Sequence, residues 1–263
     1  MPKKTTISAY VEQLQSKGKY TFTRDLAESE TGGSFVSVQS ALGRLKKQGR
    51  IISPRRGFYV VVPPEYRATG SPPASWFIDA LMEDFGQPYY VALLSAAALH
   101  GAAHQQPMVF QVMTGKPTRR IQAAKVSVRF LMRGKLERMP VTEVQTETGT
   151  MRVATPETTA FDLVRYPAAA GHWGNVTLVL AELAERMDSA SLLQVAEQVG
   201  LPDVQRLGYL LEMLGEGDLV DSMADWLGSR RPRVVPLGAG KTGKTKINKR
   251  WRIMPNVELD VEG

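Results

Sequence analysis

The chain contains no cysteine. Disulfides, thiolate zinc sites and cysteine nucleophiles are therefore excluded. Long apolar runs are missing too: the most apolar stretch, Val91 to Leu99, is far shorter than the ~20 residues a membrane helix needs. The N-terminus starts with charge but has no apolar segment behind it, so no secretory signal is expected. No Gly-Ser pair is closely followed by Asp-x-Asp, so a nucleotidyltransferase reading finds no support. A soluble, cytoplasmic protein is the expectation. What is present is ordinary for a globular chain, with 43% apolar and 22% charged residues over 263 positions. That is enough for one large domain or two modest ones, and it excludes wholesale disorder.

The positive charge is unevenly spread. Residues 1–67 hold 12 Lys/Arg against 5 Asp/Glu, residues 68–229 hold 12 against 18, and residues 230–263 hold 9 against 3. A basic head on an acidic body is the pattern of a polyanion-binding module. A solubilising basic surface is the blander alternative. Four prolines and a glycine between Val61 and Ser75 break any regular element there. The division expected is a head at 1–62, a linker at 63–75 and a body at 76–263 that ends in an extended basic tail, 232–263.

Thr6 or Ser8 can cap a first helix with Ile7, Val11 and Leu14 on one face. Tyr20 to Phe22 is short and β-prone, and Thr23 can cap a second helix with Leu26 and Ala27 inward. A third helix runs from near Ser34 to Gly49. Its apolar stripe is Phe35, Val38, Ala41, Leu42 and Leu45, and its opposite face carries Ser37, Ser40, Arg44 and Lys47, with Val36 beside them. Small polar residues let a helix sit deep in a groove, and basic ones reach base edges or phosphates. Two β-prone runs then flank Pro54-Arg55-Arg56-Gly57, a hairpin with two arginines at its tip. Helix-turn-helix plus basic-tipped hairpin is the pattern of a winged helix, which puts one helix in the major groove and the wing on phosphate or minor groove. The expected fold class is α+β, a winged helix-turn-helix domain followed by a larger mixed α/β domain. In the body, helices are expected over 75–85, 90–100, 155–166, 174–186, 189–199, 203–214 and 218–228. Strands are expected over 108–114, 126–132, 142–147 and 151–154.

Three other constellations fail on context. Gly238 to Thr245 satisfies the phosphate-loop spacing G-x-x-x-x-G-K-T, but only 18 residues follow it and Pro255 interrupts them. His100 and His104 have metal-ligand spacing but no third ligand nearby, so His100 reads as a capping or hydrogen-bonding residue. Glu258, Asp260 and Glu262 share a strand face at a terminus, which reads as a solvated edge. No catalytic, metal-binding or cofactor-binding residues are therefore expected. Tyr89, Tyr90, Trp76, Trp173, Trp226 and Trp251 read as core or interface anchors.

Several segments, taken in order, resemble the AbiEi antitoxins of bacterial type IV toxin–antitoxin (abortive infection) systems. They are Tyr89 to Gly101 with Gln105 to Thr114, ATPETTAFDLVRYP at Ala154 to Pro167, and INKRWRIMPN at Ile247 to Asn256. The stretch Gly238 to Thr245 departs from the family pattern. The resemblance implies an autorepressor that binds inverted-repeat double-stranded operator DNA and counters a nucleotidyltransferase-type toxin without forming a stable complex. On this reading the protein is not an enzyme, takes no cofactor and is a monomer that binds DNA cooperatively. The DNA-binding residues expected are Ser37, Ser40, Arg44, Lys47, Arg55 and Arg56. Arg44 is matched to guanine, because its fork fits O6 and N7. The alternative is a winged-helix regulator whose body senses a small molecule and which has no toxin partner.

Overall fold

A computed structural model describes residues 5–102, 107–240 and 246–259. In chain order its elements are α1 (Ile7–Ser16), β1 (Thr21–Thr23), α2 (Arg24–Thr31), α3 (Phe35–Lys47), β2 (Ile51–Arg55), β3 (Phe58–Val61), α4 (Ile78–Phe85), β4 (Tyr89–Val91), α5 (Leu93–Leu99), β5 (Phe110–Thr114), β6 (Ile121–Ala123), β7 (Val126–Met132), β8 (Val141–Thr146), β9 (Gly149–Ala154), α6 (Pro156–Arg165), α7 (His172–Ala184), α8 (Ser189–Ala196), α9 (Leu201–Met213), α10 (Gly217–Gly228), β10 (Val235–Pro236) and β11 (Ile253–Met254). No helix among the described residues is long and apolar enough to cross a membrane.

The chain forms two compact units. The first comprises residues 1–89, 108–134 and 143–152, and the second 90–107, 135–142 and 153–263. The proline-rich stretch 63–75 thus lies inside the first unit.

In the first unit, local chemistry explains the helical starts. The hydroxyls of Thr6, Thr23 and Ser34 accept from the backbone N–H three residues on, at 3.2, 3.2 and 3.4 Å. Each satisfies a donor that the first helical turn leaves without a partner. β1, β3 and β2 form an antiparallel sheet in that order. The turn between β2 and β3 places Gly57 at φ 85°, a conformation that suits glycine. α1, α2 and α3 pack against one another and share a core with this sheet, including Val11, Phe22, Ala27, Val38, Leu42 and Ile51. Further along, β6 is antiparallel and β5 parallel to β7.

The second unit is mainly helical. At its centre α6 is buried from Glu157 to Val164, against α5, α7, α8 and α9. Its polar residues are partnered. Glu157 accepts from the Asp188 N–H at 3.3 Å, Thr158 donates to the Pro140 carbonyl at 2.9 Å, and Asp162 accepts from the Tyr90 hydroxyl at 3.4 Å. Each bond offsets the desolvation of a buried polar group. β4 meets β9 in parallel at Val91 and Val153, and β10 lies parallel to β11.

Several expectations need correction. Residues 90–100 are not one helix: Tyr89–Val91 is a strand, Ala92 is extended, and Leu93 at φ 49° starts the helix after it. A short, wholly apolar run has no period to separate strand from buried helix. β6 was not expected at all. α4 begins at Ile78 rather than Ser75, because Pro72-Pro73 and a 3₁₀ turn at Ala74–Trp76 come first. α7 begins at His172, two residues before the expected start at 174. Leu26 is 44% and Phe35 51% exposed, so neither lies in the core; Ala27 and Thr31 take the inner face of α2. Tyr89, Tyr90 and Trp251 are buried, whereas Trp76, Trp173 and Trp226 are half-buried.

Candidate nucleic-acid interface

The buried face of α3 is Val38, Leu42 and Leu45. At 3.6 residues per turn, Val36, Ser40, Gly43 and Lys47 fall within about 60° of one another on the opposite face. All four are exposed, Val36 to 71%. Arg44 and Ser37 flank this face on one edge, Gln39 and Lys46 on the other. The side chains of Ser40, Arg44 and Lys47 form no hydrogen bond or ion pair with other described residues. Ser37 is less free, since its hydroxyl donates to the Ser34 carbonyl at 2.8 Å.

The second edge of α3 faces the β2–β3 hairpin across an open groove of about 540 Å³, whose lining includes Arg24, Gln39, Gly43, Lys46, Arg56 and Tyr59. The hairpin is held in place. The Arg24 N–H donates to the Gly57 carbonyl at 2.8 Å, and Arg50 donates to Ser8 at 2.7 Å and Glu12 at 3.0 Å. Arg24 lies over the Phe35 ring, 4.8 Å from its centroid, which explains how an exposed phenylalanine is tolerated at the head of α3. Burial pushes the Tyr59 phenol up, and the nearby Arg24 guanidinium opposes this.

The two hairpin arginines differ. Arg56 is exposed at the tip. Arg55 is engaged: it pairs with the Asp84 carboxylate, donates to the Asp84 carbonyl at 2.9 Å and lies 4.6 Å over the Phe85 ring. The expected residues Ser37, Ser40, Arg44, Lys47 and Arg56 thus come together on α3 and the hairpin tip, while Arg55 turns to α4. Sequence reasoning missed Arg24, Gln39, Gly43 and Lys46. Their signal was available for three of them, because Gln39, Gly43 and Lys46 occupy the α3 edge between the apolar stripe and the outer face.

A second cleft of about 530 Å³ in this unit is bordered by Tyr20, Glu30, Trp76, Asp79 and Thr148. The Tyr20 and Trp76 rings sit 4.9 Å apart. At its edge the Tyr89 hydroxyl donates to Asp79 at 2.8 Å, and burial first, then this bond, pushes the phenol up.

The other sequence constellations resolve differently. Asn256 accepts from the Gly238 N–H at 3.0 Å and donates to the Gly238 and Gly240 carbonyls at 3.0 and 2.9 Å. A Cβ on Gly238 would stand 2.5 Å from Val257 and 2.9 Å from Trp173. Packing against the chain itself therefore requires this glycine. Residues 241–245 lie outside the described residues, and the chain resumes in turns and β11 rather than in a helix. His100 Nε2 is 2.7 Å from the Ala154 carbonyl. His104, and Asp260 and Glu262, lie outside the described residues. Among the described residues no group of three His, Cys, Asp or Glu is placed to hold a metal.

Residues 90–213 match the family model of the AbiEi antitoxin C-terminal domain. The crystal structure of the Rv2827c protein from Mycobacterium tuberculosis is similar at 19% identity, covering 94% of this chain and 89% of that one, with a TM-score of 0.67. The two therefore share a fold over nearly their full length. A nucleotidyltransferase-like antigenic protein from Paracoccidioides brasiliensis is far more distant, at 9% identity over 59% of this chain and 89% of that one, with a TM-score of 0.36. No curated protein matches the sequence.

Proposed function

Because this chain carries an AbiEi antitoxin C-terminal domain at residues 90–213, we propose that it is the antitoxin and autorepressor of a bacterial type IV toxin–antitoxin system. Residues 1–62 act as a winged helix-turn-helix that binds inverted-repeat operator DNA. The body counters a nucleotidyltransferase-type toxin functionally rather than in a stable complex, and the protein itself performs no catalysis. The observation that carries the DNA reading is α3: its outer side holds Ser40, Arg44 and Lys47 without intramolecular partners among the described residues, and its neighbouring edge borders a groove lined by Lys46 and Arg56. Cations left uncompensated beside a cleft attract a polyanion, and a helix face with small residues can approach base edges.

In this reading Arg44 reads guanine, Lys47 and Arg56 hold phosphate, and Ser37 and Ser40 sit against the groove floor. Val36 offers an apolar surface to a thymine methyl. Arg55 serves by fixing the hairpin through Asp84. The test is titration of the full chain with the duplex immediately upstream of its own gene and with random duplex, at several salt concentrations. Specific binding is expected to be tighter by ~10³-fold or more, with a steep negative slope in log salt. Equal affinity for both duplexes would reduce the head to a generic basic module. For the antitoxin half, co-expression is expected to relieve growth arrest caused by the neighbouring toxin gene. Arrest that persists despite folded protein would sink that half alone.

Gly43 gives a prediction with two signs. It lies mid-helix with nothing within 4 Å of a built Cβ. Gly43→Ala is expected to stabilise the protein by ~0.5–1 kcal/mol, since glycine costs about that much in a helix interior. DNA affinity is expected to fall at the same time, because the new methyl stands on the outermost stripe of α3. A thermal melt and a binding titration on one preparation check both, and unchanged affinity would place α3 further from the DNA.

The cleft beside Trp76 is the specific feature in favour of the ligand-sensing alternative. That reading requires a metabolite to shift operator affinity, and requires no toxin gene nearby.

A further inference from the structure

The cations of the first unit do not stop at the hairpin. The loop from Gly115 to Arg120 carries Lys116, Arg119 and Arg120, within a stretch, 85–136, that holds no Asp or Glu. Its far end leads into β6, which lies against β2. Pro54 and Arg55 of the hairpin line one cavity with Pro117, Thr118 and Arg119, about 350 Å³ in volume. The hairpin therefore borders two clefts, one shared with α3 and one shared with this loop.

The loop is held in place by its own bonds. Arg120 donates twice to the Ser127 hydroxyl, at 2.9 and 2.7 Å. The Thr114 and Thr118 hydroxyls both donate to the Lys116 carbonyl, at 2.9 and 3.2 Å. Arg120 is thus spent on anchoring. The side chains of Lys116 and Arg119 are exposed and have no ion pair among the described residues. Arg55, the hairpin cation nearest to them, is neutralised by Asp84.

We propose that Lys116 and Arg119 form a second phosphate-contacting element, which grips the duplex backbone beyond the hairpin, flanking the half-site read by α3. This inference rests on the DNA-binding reading above and extends it to residues outside the winged helix. Exposed cations without ion pairs among the described residues thus stand on three elements of this unit: Arg44 and Lys47 on α3, Arg56 at the hairpin tip, and Lys116 and Arg119 on the loop. A duplex presents one phosphate charge per ~1.7 Å of axis. Fixed, exposed cations that touch no base edge add affinity without sequence preference.

The test is fluorescence anisotropy of the full chain on the duplex upstream of its own gene and on random duplex, across a salt series. Lys116→Ala/Arg119→Ala is expected to reduce the magnitude of the log K against log salt slope by about 1.8, two contacts at ~0.9 each. The reduction is expected on both duplexes, with the ratio of specific to random affinity unchanged. Lys17→Ala/Lys19→Ala, which removes equal charge from exposed positions beside the other cleft, is expected to leave the slope alone. Both altered loop side chains are exposed, so the melting temperature should stay at the wild-type value. Lys116→Gln/Arg119→Gln, which keeps the stems but not the charge, serves as the second variant. A wild-type slope in both loop variants overturns the proposal while leaving the DNA reading intact. So does an equal loss in the Lys17/Lys19 control. A wild-type slope combined with lost toxin neutralisation also overturns it, and assigns the loop to an acidic protein surface instead. Absence of any salt-dependent binding by the wild-type chain is a different result, and it removes the DNA reading itself.

Discussion

Gly208→Ala is expected to destabilise the second unit by about 3 kcal/mol or more, at or above the upper end for overpacking a core. A Cβ at this position would stand 2.1, 2.3 and 2.4 Å from three atoms of the Trp251 ring. The ring cannot retreat. Trp251 is fully buried, its indole N–H donates to Glu212 at 2.7 Å, and its backbone N–H donates to Asn248 at 2.9 Å. Gln205, on the same helix as Gly208, donates to the Trp251 carbonyl at 3.0 Å. Arg250 closes the arrangement by pairing with Glu212 at 2.7 Å and with Asp221, and those two bonds, Asp221's first, push its pKa up. The backbone of α9 and the flat face of the ring therefore meet without a side chain between them. At 2–4 °C per kcal/mol for a chain of this size, the melting transition should fall by roughly 6–12 °C. Trp251→Ala should cost about 3–5 kcal/mol by leaving a cavity. The decisive measurement is the double variant. With the ring gone, Gly208→Ala should become neutral or mildly stabilising, because alanine is the better helix former. Additive losses in that cycle would mean that the two residues do not meet as described.

Arg44→Ala is expected to weaken operator binding by ~1–3 kcal/mol, roughly 5- to 150-fold, and to relax preference at one base pair. The argument is positional. Arg44 flanks the outer face of α3, on the edge away from the hairpin, and no carboxylate engages it. Lys47→Ala should instead weaken all sequences alike and lower the salt slope by about 0.9. Selecting preferred sites with both variants, at two salt concentrations, separates the roles. If Arg44→Ala loses affinity equally on every sequence, Arg44 belongs with the phosphate contacts. If neither variant changes binding, α3 does not face the DNA.

The first 62 residues were legible because their signals are local. Thr23 and Ser34 cap where a hydroxyl before a periodic run should cap, and Pro54 to Gly57 turns where such residues turn. Periodicity located the inner face of α3 but not its ends, so Phe35 was placed in the core. A first-turn residue lies where the covering elements stop, and here the Arg24 guanidinium lies over the half-exposed ring. The Tyr89 to Leu99 run failed for the opposite reason. It is apolar but for Ser95, so nothing in its pattern marks the break at Ala92 and Leu93.

The candidate site divides along the same line. Residue type and spacing put Ser40, Arg44 and Lys47 on one side of α3, because a helix of known pitch converts sequence separation into angle. No such rule connects Arg55 to Asp84, twenty-nine residues away. The sequence shows two equivalent arginines at the hairpin tip, and only the packed chain, with a carboxylate and the Phe85 ring against one of them, distinguishes a strut from a free cation. The same holds for Gly208 with Trp251 and for Arg119 with the hairpin. By itself the sequence determined the order of elements in the head, the polarity of each helix face and the uneven spread of charge, all of which follow from neighbours within a few residues. Tertiary structure alone decided which charges are neutralised, which polar residues of α6 are buried with partners and which glycines face a ring. Those outcomes depend on atoms brought together from distant parts of the chain, and no local pattern encodes them.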